Sequence, residues 1–115
     1  SISMNSIGTF LNTGILFLAP IPSKELLTFH ANHHSFFEKY RMNAESQYLP
    51  NNWIPHCTIA NRLNDENLKG AMSYCTKRIE RINAIIVEIS VIKAIYENNI
   101  CIKSPSIHTK ALGIV

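Results

Sequence analysis

A histidine and a threonine two residues apart, His56 and Thr58, are the side chains of this sequence best suited to chemistry on a phosphate. They lie in the stretch PNNWIPHCTIANRL, residues 50–63, much of which reads as a strand. Successive side chains of a strand point to opposite faces, so His56 and Thr58 are predicted to share a face with Ala60 and Arg62. An imidazole, a hydroxyl and a guanidinium on one face can hold a phosphate, although an edge strand with its polar side in water has the same spacing.

The other face of this strand is predicted to be apolar. Cys57 and Ile59 alternate with the polar positions and are expected to point into the core that the strand covers. Further upstream, residues 1–7 predict a strand that enters a turn at Gly8-Thr9, and the apolar run 15–19 predicts a central strand buried on both faces.

Two helices are predicted from caps and apolar periodicity. Ser23 is expected to cap the first, which fades near Arg41 and leads into a polar loop. Asn64 or Asp65 caps the second, whose predicted buried side consists of Leu68, Ala71, Met72, Cys75 and Ile79.

The last third of the chain changes to a β pattern. Residues 84–97 are rich in Ile and Val and predict one extended or bulged strand, followed by a hairpin turn at Asn98-Asn99 and further strands. The predicted fold class is α+β, with an antiparallel or mixed sheet covered on one face by two helices in the order β-β-α-β-α-β-β. Residues 1–115 are expected to form one domain.

Composition narrows the class of protein. A net charge of +3 is compatible with a phosphate-bearing ligand but far from a dedicated nucleic-acid coat. The three cysteines, Cys57, Cys75 and Cys101, are too widely spaced for a disulfide framework or a zinc site and are expected to be mostly buried free thiols. Such thiols indicate a reducing cytosol, so the predicted location is the cytoplasm. The sequence has no apolar run of membrane length and no signal-peptide pattern, and no membrane partner is expected.

The stretch around His56 resembles the 2H phosphoesterase superfamily, also called 2′-5′ RNA ligase-like or LigT-like proteins. Members carry two His-x-Thr/Ser-apolar motifs, and the second often follows an aromatic residue and a proline and precedes Ala-Arg. An asparagine intervenes here before the arginine, and the resemblance extends over most of residues 4–97. The residues that match the second motif are Trp53, Pro55, His56, Thr58, Ile59, Ala60 and Arg62.

This resemblance implies phosphodiester chemistry on RNA or nucleotides, for example on 2′,3′-cyclic phosphates, in the direction of a phosphodiesterase or a 2′-5′ RNA ligase. His56 is then one of two acid/base groups and Thr58 one of two phosphate donors, with neither metal nor organic cofactor. Arg62 is expected to add charge at the substrate, and Trp53 and Tyr48 are the aromatic residues expected to contact it.

The first of the two motifs is expected to lie upstream of residue 1, since His108-Thr109-Lys110 has a lysine in place of the hydroxyl. The chain is therefore predicted to be the C-terminal lobe of a longer two-lobed enzyme, with little or no activity alone. Two chains pairing as a homodimer are the other way to unite two motifs. A catalytically inactive phosphate-binding or interaction module of the same fold is the alternative function.

Two further clusters are assigned structural roles. His30 and His34 in "HANHH" have the spacing of a helix-borne zinc site, but no third ligand is evident, so core or boundary histidines are expected. Lys77, Arg78 and Arg81 are expected to complete a helix C-terminus rather than to bind RNA.

Overall fold

The computed structural model describes residues 1–38 and 46–112, and the chain forms two compact units. The larger unit, Ile2–Asn83, carries His56 and Thr58, and the smaller unit begins at Ala84. The predicted end of the first helix near Arg41 lies outside the described residues, and so does part of the loop expected after it. A single domain over residues 1–115 stays a prediction.

The larger unit contains a four-stranded sheet in the order β3-β2-β1-β4, except for Ala84, the last residue of β4. Its strands are β1 (Ile2–Thr9), β2 (Leu16–Pro20), β3 (Cys57–Ala60) and β4 (Ile82–Ala84). β2 pairs antiparallel with β1 on one side and with β3 on the other. Leu16, Phe17 and Leu18 are 1%, 7% and 7% exposed, so β2 is the predicted central strand buried on both faces.

The turn expected at Gly8-Thr9 is wrong, because β1 continues to Thr9. Gly8 lies opposite Phe17 in the strand pairing, and a Cβ atom on Gly8 would stand 2.9 Å from Cζ of the Phe17 ring. The glycine therefore marks a close approach of an aromatic ring to the strand. The chain turns after Phe10 instead, where the Thr13 amide donates to the Phe10 carbonyl at 3.2 Å.

Both predicted helices form, and the α+β fold class is confirmed. α1 runs over Lys24–Phe36 and begins where predicted, since the Ser23 hydroxyl accepts a hydrogen bond from the Leu26 amide at 3.1 Å. Neither helix of the described chain is long and apolar enough to cross a membrane.

α2 runs over Asp65–Arg78 and packs against β1 and β2. The Asn64 side chain caps it by accepting from the Asn67 amide at 2.7 Å. Lys77 and Arg78 occupy the last turn, as expected from the helix dipole. The predicted buried side of α2 is only half-buried, although it is the less exposed side of the helix: Leu68, Ala71, Met72, Cys75 and Ile79.

Four short strands make up the smaller unit, in place of the single long strand expected over 84–97 followed by further strands. β5 (Glu88–Ile92) pairs with β8 (Ser106–Ala111), and between them β6 (Ile95–Glu97) pairs with β7 (Ile100–Lys103). Both pairs are antiparallel, and we call residues 88–111 the two-stranded ribbon. Its tip confirms the predicted hairpin turn, with positive φ angles of 53° and 63° at Asn98 and Asn99.

Candidate active site

His56 lies immediately before β3, at the end of the loop that leads into the strand. Its Nδ1 atom is 2.6 Å from the carbonyl oxygen of Ile54. A carbonyl oxygen only accepts hydrogen bonds, so Nδ1 must carry a proton in this contact. The neutral ring consequently presents its Nε2 lone pair, and the protonated ring presents an Nε2–H donor.

Two phenylalanine rings surround the imidazole of His56. The Phe10 ring meets it edge to face, with centroids 4.9 Å apart, and the Phe17 ring lies 5.7 Å away. The two phenylalanine centroids are themselves 4.6 Å apart. The interpretation of the sequence missed both contacts, although Gly8 signals that an aromatic ring comes close to β1.

The strand pairing places Thr58 on the same side of the sheet as His56. Thr58 lies directly opposite Phe17 in the ladder, and side chains opposite each other share a face. Because the Phe17 ring contacts the His56 ring, His56 and Thr58 both lie on the side that Phe17 occupies. Thr58 is exposed and His56 is half-buried, so both groups are accessible from this side.

The alternation expected beyond Thr58 is wrong for Ala60. The pairing shifts between Leu16 and Phe17, so that Ala60 lies opposite Leu16, on the other side of the sheet from Thr58. Such a shift is the mark of a β-bulge, which adds a residue and interrupts the two-residue period. Arg62 lies beyond the end of β3 with a left-handed φ of 57°, so strand alternation does not determine its direction.

The apolar side predicted for this strand is also wrong. Cys57 is exposed, and Ile59 is 41% exposed rather than buried in a core. The physical reason is the position of β3 at the edge of the described sheet, where a strand has a neighbour on one side only. Cys75 and Cys101 are half-buried, so the thiols are less buried than expected, and none of the three cysteines forms a disulfide.

Trp53 and Tyr48, the two aromatic residues expected to contact the substrate, both interact with His30 of α1. The indole of Trp53 stacks on the imidazole of His30, with centroids 3.8 Å apart and planes 6° from parallel. The Tyr48 backbone forms a hydrogen bond with the same imidazole, while the Tyr48 side chain is 44% exposed. Substrate contact by either residue stays a prediction.

The pKa of His30 is lowered to about 4, mainly by burial and also by the positive charges of His34 and His33, while the Tyr48 backbone hydrogen bond raises it in part. The imidazole is therefore neutral near neutral pH. The ring centroids of His30 and His34 lie 4.5 Å apart, and the Trp53 indole covers one face of the His30 ring. Within residues 1–38 and 46–112, no three His, Cys, Asp or Glu side chains are grouped to hold a metal ion.

A recess of about 130 Å³ lies beside the C-terminal half of α1. It is lined by Ala31, His34, Ser35, Glu38 and Pro50, so it includes neither His56 nor Thr58.

The letters His-x-Ser-apolar also occur at residues 33–36, inside this helix. Residues two apart on a helix point in nearly opposite directions, so this second occurrence cannot present both groups to one phosphate.

The family model described as the 2′-5′ RNA ligase superfamily matches residues 1–95. Because the match covers most of the 115 residues, the chain belongs to this superfamily, and the resemblance to 2H phosphoesterases is confirmed. The matched range includes the whole sheet, both helices and the stretch around His56. No curated protein and no solved structure matches the chain significantly.

Proposed function

We propose that this chain supplies one half of a phosphodiesterase site for RNA or nucleotide substrates, with His56 as one of two acid/base groups and Thr58 as a phosphate donor. Membership of the 2′-5′ RNA ligase superfamily supports the class of reaction. The observation that carries the assignment of His56 is its Nδ1 contact with the Ile54 carbonyl. This contact leaves Nε2 as the nitrogen that can accept or donate a proton in the reaction.

The proposed reaction is the opening of a 2′,3′-cyclic phosphate. One neutral imidazole takes a proton from water as the water oxygen bonds to phosphorus, and one ribose oxygen leaves phosphorus with its electron pair. A second, protonated imidazole donates its proton to that leaving oxygen. An unperturbed histidine pKa of about 6.5 makes both forms available near neutral pH, so the two steps need no metal ion.

Thr58 and Arg62 complete this half of the site in the proposal. The Thr58 hydroxyl, exposed on the same side of the sheet as His56, donates a hydrogen bond to a non-bridging phosphate oxygen where negative charge builds. Arg62, two residues beyond the end of β3, adds positive charge near the phosphate. Trp53 and Tyr48 remain candidates for substrate contact.

A second imidazole is needed, because one group cannot both accept and donate at once. We propose that it comes from an N-terminal lobe of the full-length protein, and that a homodimer uniting two copies of His56 is the other source. Three cysteines without a disulfide are typical of a reducing compartment, and we propose the cytoplasm.

The test is the His56→Ala variant of the full-length protein, assayed for turnover of 2′,3′-cyclic nucleotides. Loss of one acid/base group is expected to lower turnover by roughly a hundredfold to ten-thousandfold, while the fold survives because His56 is only half-buried. His108→Ala is the matched control, since His108 is an exposed histidine in the two-stranded ribbon. It is expected to leave turnover unchanged.

Unchanged turnover in His56→Ala would remove this residue from the mechanism. A wild-type protein that binds a cyclic nucleotide through His56 without turning it over would instead establish the inactive phosphate-binding module. The residual activity of this chain alone separates the two sources of the second group: turnover that rises with dimerisation supports the homodimer.

A further inference from the structure

His56 lies outside the strand ladder, so its position depends on the loop that precedes β3 as well as on the Phe10 and Phe17 rings beside it. β3 begins at Cys57, and the ring of His56 is oriented through the Ile54 carbonyl rather than through a strand hydrogen bond. The position of a residue in a loop is only as well defined as the position of the loop itself. The contacts that fix residues 48–55 therefore bear on the orientation of the imidazole.

Two of the contacts between this loop and α1 use His30. The Tyr48 backbone forms a hydrogen bond with the imidazole at the start of the loop, and the Trp53 indole stacks on the ring near its end. Between these points the chain makes a turn, in which the Asn52 amide donates to the Leu49 carbonyl at 3.0 Å and Asn51 takes a positive φ of 75°.

The second attachment is close to the candidate acid/base group. Trp53 is next to Ile54, whose carbonyl accepts the hydrogen bond from Nδ1 of His56. The buried Pro55 follows Ile54, and a proline restricts the backbone of the residue before it. A shift of the indole is therefore transmitted over a short and stiff segment to the Ile54 carbonyl. His30 itself sits inside a capped helix and provides a rigid support for the stack.

We infer that His30 is a positioning residue: its imidazole face holds Trp53, and through Trp53 and Ile54 it keeps His56 in the form that carries its proton on Nδ1. This inference rests on the proposed role of His56. The neutral state of His30, which follows from its burial and its histidine neighbours, suits face-to-face stacking on an indole. His30 touches no substrate in this role and takes no part in the proton transfers.

The stack can be observed directly, because Trp53 is the one tryptophan of the sequence. In His30→Ala the indole loses its covering ring, and its fluorescence emission is expected to move to longer wavelength as water reaches it. Asn32→Ala is the control: Asn32 is an exposed residue of the same helix, and its replacement should leave the emission as in the wild type.

The effect on His56 is read from its nitrogen-15 NMR shifts, which report which ring nitrogen carries the proton. At about pH 8.5, where a histidine is neutral, His30→Ala is expected to lower the ratio of the Nδ1–H to the Nε2–H form about fivefold, as loss of one hydrogen bond would. His30→Phe keeps an aromatic face for Trp53 and should keep the ratio within about twofold of the wild type.

Three results would overturn the inference. Emission unchanged in His30→Ala would mean that the stack does not hold Trp53; a shifted emission with an unchanged His56 ratio would reduce the stack to packing. Equal losses in His30→Phe and His30→Ala would exclude the ring face as the cause. If His30→Ala does not fold, His30→Gln replaces it as the variant without a ring.

The NMR ratio is measured without substrate, so the inference and the proposed function fail separately. A wild-type full-length protein without turnover, together with a His56 ratio that depends on His30, refutes the function alone. Normal turnover together with a ratio that is insensitive to His30 refutes the inference alone.

Discussion

The sheet of the larger unit and the two-stranded ribbon of the smaller one are built from similarly apolar strands, yet they are buried very differently. All the buried core residues among the described positions belong to the larger unit: Met4, Leu16, Phe17, Leu18 and Leu26. In the ribbon, Ile92, Ile100 and Ile107 are 55%, 50% and 47% exposed. A strand buries its side chains only when a second layer covers it or further strands flank it, and apolar composition alone supplies neither.

This difference matters for the candidate site. His56, Thr58 and the two phenylalanine rings belong to the unit that has a core, so their geometry rests on packed side chains. The family match ends at residue 95, inside the ribbon. The remainder of the ribbon therefore contributes nothing to the recognised family pattern.

The largest effect expected from this comparison is on stability. Leu16→Ala removes a side chain that is 1% exposed and is expected to lower the free energy of unfolding by about 2–5 kcal/mol. Ile107→Ala in the ribbon removes a side chain that is 47% exposed, and a change of about 0.5 kcal/mol is expected. Urea unfolding of both variants measures the difference, and equal losses would show that the ribbon is as well packed as the sheet.

A smaller effect is expected on the pH dependence of stability, through His30 in the larger unit. Its folded pKa of about 4 is below the unfolded value of 6.5, so the unfolded chain binds a proton first as the pH falls. The stability that the neutral His30 ring contributes is fully present above about pH 6.5 and is lost as the pH falls toward about 4. The expected loss is on the order of 1 kcal/mol, because water partly screens this ring.

The groups that face His30 are His34, His33 and the Tyr48 backbone. His30→Phe removes the titrating group and keeps the ring, so its unfolding free energy should fall less over this pH range than that of the wild type. Urea unfolding at several pH values measures both slopes. Identical slopes would assign the pH dependence to other groups.

The smallest effect is expected at the tip of the ribbon. Asn99 has a φ of 63°, and glycine adopts such angles without the steric cost of a Cβ atom. Asn99→Gly is expected to stabilise the β6–β7 pair by roughly 0.5 kcal/mol. Amide hydrogen exchange in β6 and β7 should slow while exchange in β2 stays as it is, and faster exchange at the tip would contradict the assigned turn.

Local features of the fold were predictable because a few neighbouring residues determine them. Ser23 and Asn64 cap their helices through side-chain oxygens, and the half-buried face of α2 follows from apolar residues at helical spacing. The Asn98-Asn99 turn follows from the tolerance of asparagine for positive φ. The motif around His56 was likewise readable as a pattern, and it led to the correct superfamily.

Long-range contacts decided the remaining features. The amino-acid order by itself determined the α+β class, the cap of α1, the cap of α2 as Asn64 or Asp65, and the candidate pair His56 and Thr58, since each depends on residues close in the chain. Only the tertiary structure decided that β1 extends past Gly8, that a bulge turns Ala60 away from Thr58, and that Trp53 stacks on His30. These outcomes depend on which distant strand or helix comes into contact, and no local period or propensity specifies such a partner.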